Sequence, residues 1–145
     1  MNKISKIIIS LFGIGFSPWA PGTIGSFFSI TFFYLIIEYL STFKIIFIFL
    51  FIFFISVKLI DEYSNFVNNH DSSEIVIDEF LGINFILIFY EYFKFTNDLT
   101  MFLLIFLIFR FFDIIKFFPI NWIDLNIKNS WGVILDDIVA AVYCI

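Results

Sequence analysis

Two pairs of adjacent acids, Asp78–Glu79 and Asp136–Asp137, each lie in an otherwise apolar stretch. An ionised carboxylate in such surroundings is expensive, about 3 kcal/mol at a membrane centre. Four of them become useful if they share a cation. Oxygen-rich sites of this kind suit Mg²⁺ or Mn²⁺, so Asp78, Glu79, Asp136 and Asp137 are candidate metal ligands. Acids at helix starts can also simply complement the helix macrodipole, and that simpler role stays open for both pairs.

A third constellation is Arg110, Asp113 and Lys116, spaced one helical turn apart on a single face. Arg110 and Lys116 are suited to holding a phosphate, with Asp113 orienting Arg110, joining the metal site or acting as a general base. A self-neutralising ladder of ion pairs is the alternative. Upstream, Pro21-Gly22-Thr23-Ile24-Gly25-Ser26 leads into an apolar run. Backbone N–H groups and two hydroxyls at a helix start can hold an anion, which makes Thr23, Gly25 and Ser26 candidate substrate contacts. Thr23 or Ser26 could equally be a plain N-cap, and no Gly-Lys-Ser/Thr follows to make a P-loop. His70 and Asp71 could move protons, although a lone loop histidine is more often only solvated. Cys144, the single cysteine, reads as an ordinary buried thiol and permits no intrachain disulfide.

These residues have to be positioned by a very apolar chain. Of 145 residues, 61% are hydrophobic and 14% charged, with a mean hydropathy of +1.03. Soluble domains carry roughly 25% charged residues, so the composition indicates an integral membrane protein. A net charge of −5 offers no basic patch for nucleic acid. The N-terminal Lys3 and Lys6 followed by Ile7–Ile9 resemble a signal peptide only faintly, and no processing is expected. The run from Ile7 to Phe16 is too short to span a bilayer and reads as a re-entrant or interfacial segment. Hydrophobic runs then predict helices at about 24–40, 45–60, 75–92, 99–118 and 132–145. The expected fold is a single all-α membrane domain over 1–145, with four to five transmembrane helices. If each crosses once, Gly22–Ser26, His70–Glu79, Arg110–Lys116 and Asp136–Asp137 meet at one membrane face. That face carries Lys3, Lys6, Lys58, Arg110, Lys116 and Lys128, against Lys44 and Lys94 opposite, so the positive-inside rule makes it cytoplasmic.

Four stretches together resemble one family: Gly13–Ser26 (GIGFSPWAPGTIGS), His70–Gly82 (HDSSEIVIDEFLG), Phe109–Ile120 (FRFFDIIKFFPI) and Trp131–Ala141 (WGVILDDIVAA). In order and spacing they are similar to phosphatidylglycerophosphatase A, a small membrane phosphatase of bacterial phospholipid synthesis. The resemblance implies Mg²⁺-dependent hydrolysis of the terminal phosphomonoester of phosphatidylglycerophosphate, at the cytoplasmic side of the inner membrane. Three features depart from the family pattern. Lys-Pro-x-Pro is here Lys116-Phe117-Phe118-Pro119, a glycine-rich approach to the last acids is Asn129-Ser130-Trp131, and the final helix is short. The competing class is a membrane carrier or cation conductor, which would spread its acids through the depth of the bilayer. Here they gather at one face, apart from Glu38 and Glu91 near the opposite ends.

Overall fold

A computed structural model describes residues 3–67, 72–93 and 99–145. His70 and Asp71, and the turn expected at Lys94–Asp98, lie outside the described residues. Within them the fold is all-helical: α1 (Lys3–Ile9), a 3₁₀ turn (Ile14–Phe16), α2 (Pro21–Ile37), α3 (Thr42–Val67), α4 (Ile77–Tyr92), α5 (Leu99–Ile115), α6 (Ile120–Asn126) and α7 (Ser130–Val142). Runs rich in Phe and Ile have no strong intrinsic helix propensity, so packing holds these helices. At the centre is α4, which packs against α7, α2, α3 and α5 and buries Ile77, Phe80, Leu81, Ile83, Ile86 and Leu87. Gly82 permits this closeness. A Cβ there would lie 2.8 Å from the Phe109 ring and 3.1 Å from the Asp137 carbonyl oxygen.

Several boundaries differ from the sequence expectation, each for a local reason. Proline favours the first helical position, and α2 therefore starts at Pro21 rather than near Ile24. The polar stretch from Asp61 to Val67 is a helical extension, which makes α3 26 residues long. Lys116 takes a left-handed backbone (φ 50°) and ends α5 at Ile115 rather than Phe118. The unanticipated α6 fills the following polar segment. Asn129 accepts a hydrogen bond from the Gly132 N–H at 3.1 Å and caps α7 two residues early. Asp136 and Asp137 consequently sit mid-helix, so the macrodipole cannot account for them; Asp78 and Glu79 do occupy the first turn of α4.

The N-terminal segment does not span. Leu11, Phe12 and Gly13 all have positive φ and fold it back, burying Ile9 and Leu11 beside Ile75 and Val76. Of the helices in the described residues, only α3 is long and apolar enough to cross a membrane by itself. At 17 residues, α2 and α5 reach about 25 Å at 1.5 Å per residue, short of a ~30 Å hydrocarbon core. The expectation of four to five spans is thus met by one helix on length alone. The most apolar window of α3 is only 22% buried, leaving Phe43, Phe47, Phe51 and Phe54 exposed. A core helix of a water-soluble protein would hide such a row.

Candidate active site

One end of the bundle encloses a cleft of about 250 Å³. Its walls come from the start of α2, the residues before α4 and its first turn, the end of α5, α6 and the first half of α7. This is the convergence that alternating helices impose. Six carboxylates (Asp78, Glu79, Asp113, Asp124, Asp136, Asp137) face three cations (Arg110, Lys116, Lys128) across it, a formal charge of −3.

The acids divide into two sets. Asp78, Glu79 and Asp137 each offer an oxygen, all within 4.8 Å of one another. Glu79 Oε2 and Asp137 Oδ2 are buried without a hydrogen-bond partner. An ionised carboxylate accepts only, so a cation bound in this cluster would satisfy oxygens that the protein leaves unpartnered. Hard oxygen donors in this arrangement fit Mg²⁺. Asp136 stands apart from that trio. Its Oδ2 accepts from Lys116 Nζ at 2.9 Å, while its Oδ1 accepts from the Asp137 N–H at 3.0 Å. Adjacent positions on a helix point about 100° apart, so Asp137 turns to α4 and Asp136 to the lysine. Of the four acids expected to share an ion, Asp78, Glu79 and Asp137 cluster, whereas Asp136 pairs with Lys116.

The α5 ladder is likewise broken. Arg110 donates to Asp113 at 2.5 Å and lies 3.8 Å from Glu79, with its buried Nε–H unpartnered. Lys116, placed off the helix axis by its left-handed backbone, leaves this pair and bridges Asp136 and Asp124, the latter at 3.1 Å. Burial disfavours its charge, but hydrogen bonds and proximity to Asp136 and Asp124 outweigh that and raise the ammonium above the ordinary lysine range. Gly22 lies against the same group, where a Cβ would overlap Glu79 Oε1 and come within 3.2 Å of Arg110.

The glycine-rich start of α2 contributes differently than expected. Ala20, Pro21 and Gly22 line the cleft, whereas Thr23, Gly25 and Ser26 do not. The Ser26 hydroxyl is buried and donates to the Gly22 carbonyl at 2.9 Å; Gly25 is packed against Val76. Those two positions serve helix packing. Sequence reasoning missed Asp124, Lys128 and Gly132, all in the lining. The i,i+4 spacing of Asp124 and Lys128 was the available signal. Cys144 lies apart from the cleft, its Sγ–H donating to the Ala140 carbonyl at 3.3 Å, and burial pushes the thiol up to about 12.

A family model described as phosphatidylglycerophosphatase A matches residues 7–145. The phosphatidylglycerophosphatase A of Escherichia coli (strain K12) is 37% identical over 131 residues, covering 90% of this chain and 73% of that protein. Its counterpart in Haemophilus influenzae (strain Rd) is 33% identical over 146 residues, covering 100% of this chain and 86% of the relative. No solved structure shows significant similarity.

Proposed function

The chain belongs to the phosphatidylglycerophosphatase A family, and from that premise we propose that it hydrolyses the terminal phosphomonoester of phosphatidylglycerophosphate, giving phosphatidylglycerol and inorganic phosphate. The observation that carries the reading is the single cleft holding the Asp78–Glu79–Asp137 cluster beside Arg110 and Lys116. Mg²⁺ is the proposed cofactor, held by Asp78, Glu79 and Asp137. When bound, it would polarise a phosphoryl oxygen and lower the pKa of a coordinated water. A cleft at −3 would otherwise repel a phosphomonoester.

The chain's own groups position the phosphate. Phosphoryl transfer rests mainly on placement and electrostatics. Arg110 and Lys116 offset charge on the equatorial oxygens, each pre-aimed by its carboxylates. Asp113 orients Arg110, and Asp136 and Asp124 orient Lys116. Gly22 leaves the space that a side chain would otherwise take from Glu79 and Arg110.

The bundle is proposed to lie in a bacterial inner membrane, with α2 to α5 and α7 as its spans and the cleft facing the cytoplasm. The exposed Phe row of α3 supports the first point and the excess of Lys and Arg at the cleft end supports the second. Carboxylates gathered at one end suit headgroup chemistry better than a cation path through the bilayer. The test is phosphate release by purified protein in detergent from a panel of lipid phosphates, with and without Mg²⁺. Release from phosphatidylglycerophosphate that needs Mg²⁺ is expected. Absence of release, or equal release after chelation, overturns the substrate or the cofactor respectively.

A further inference from the structure

We propose that Lys128 recognises the phosphodiester of a two-phosphate lipid headgroup, so that the cleft reads both phosphates of its substrate. The inference rests on the phosphatase reading above. Three cations line the cleft, and they are not equivalent. Arg110 is held by Asp113 and Glu79, and Lys116 by Asp136 and Asp124. Lys128 is exposed and forms no ion pair among the described residues; its ammonium donates to the Asp124 carbonyl at 2.7 Å.

Asp124 therefore fixes both lysines. Its carboxylate holds Lys116, which also grips Asp136 beside the acid cluster, and its carbonyl accepts from the exposed Lys128. A headgroup with a phosphomonoester and a phosphodiester separated by a glycerol likewise presents two unequal charges a short distance apart. The doubly charged end needs the metal cluster, Arg110 and Lys116. The singly charged diester, nearer the membrane, needs one solvent-accessible point charge, and a lysine with spare donors supplies it. An ammonium on a carbonyl of the last turn of α6 is also a helix C-cap, and the experiment must separate the two roles.

Lys128→Ala, Lys128→Gln and Lys128→Arg are compared with wild type on phosphatidylglycerophosphate in mixed micelles. Phosphatidylglycerol, which carries the diester alone, and inorganic phosphate serve as separate inhibitors. The glutamine keeps an N–H for the Asp124 carbonyl but loses the charge. For Ala and Gln we expect KM to rise roughly ten-fold, the scale of one charge-assisted hydrogen bond at a partly exposed site. Inhibition by phosphatidylglycerol weakens by a similar factor, inhibition by inorganic phosphate holds, and Arg restores wild-type values. A capping role instead gives less folded protein at unchanged KM, with Gln rescuing Ala. That pattern overturns the inference, as does equal weakening of both inhibitors. A wild type that turns over while KM ignores all three substitutions defeats this inference alone. A wild type that releases no phosphate defeats the phosphatase reading and this one with it.

Discussion

Asp137→Asn is the sharpest perturbation of the metal cluster. Three carboxylate oxygens within 4.8 Å repel pairwise by about 3.5 kcal/mol or more at an effective dielectric near 20. Arg110, 3.8 Å from Glu79, returns about 4 kcal/mol on the same scale, which leaves most of the repulsion uncompensated. The substitution removes two of the three repulsive pairs while keeping side-chain shape. The metal-free variant should therefore be no less stable than wild type. Mg²⁺ at a hundred-fold excess over its Kd stabilises a binding-competent fold by about 2.7 kcal/mol, or roughly 5–10 °C for a domain of this size. Thermal unfolding in detergent, with and without Mg²⁺, measures both effects. Wild type should gain that shift, and Asp137→Asn should gain little and lose hydrolysis. Equal Mg²⁺ shifts in both proteins, or full activity in the variant, refute the assignment of these acids to a metal.

Two further outcomes follow from the packing and charge of the cleft. Gly82→Ala forces a methyl against Phe109 and the Asp137 carbonyl; overpacking of this kind costs about 1–3 kcal/mol and should lower the melting temperature and weaken Mg²⁺ stabilisation together, both read in the same unfolding assay. Lys116 has its folded pKa raised, so its stabilising contribution is complete below the unfolded lysine value of about 10.4 and fades only as pH climbs through the higher folded value. The melting-temperature gap between wild type and Lys116→Met should accordingly persist up to about pH 10 and close above that; a gap that closes as pH rises through neutrality would contradict the Asp136–Lys116–Asp124 bridge.

The all-helical class and the end of the bundle that holds the charged cleft were legible in the sequence, because both depend on coarse quantities. Hydropathy set the helical runs, and their alternation brought Asp78, Arg110 and Asp136 to one end without any side-chain detail. What was not legible depended on single torsions. Asp136 and Asp137 are indistinguishable as neighbours until the register of α7 against α4 assigns one to Lys116 and the other to Glu79. Lys116 shares a face with Arg110 only if α5 continues, and its left-handed backbone stops it. The turn chemistry of Pro21–Ser26 suggested hydroxyl contacts, yet Ser26 spends its hydroxyl on the Gly22 carbonyl. Helix α6 escaped notice because seven residues of mixed polarity give too short a period to separate from a loop.

The bridge made by Lys116 has a consequence for motion during turnover. An ammonium carries three N–H donors, and Asp136 and Asp124 occupy two. If the proposed reaction holds, the third is left for an incoming oxyanion, and a phosphate would be seated without dissolving either ion pair. The lysine joins the end of α5 to α6 and α7 like a rivet, through Asp124 and Asp136. On the proposed reading, a phosphate site assembled this way would exchange its ligand without breaking the contacts that Lys116 makes between these helices.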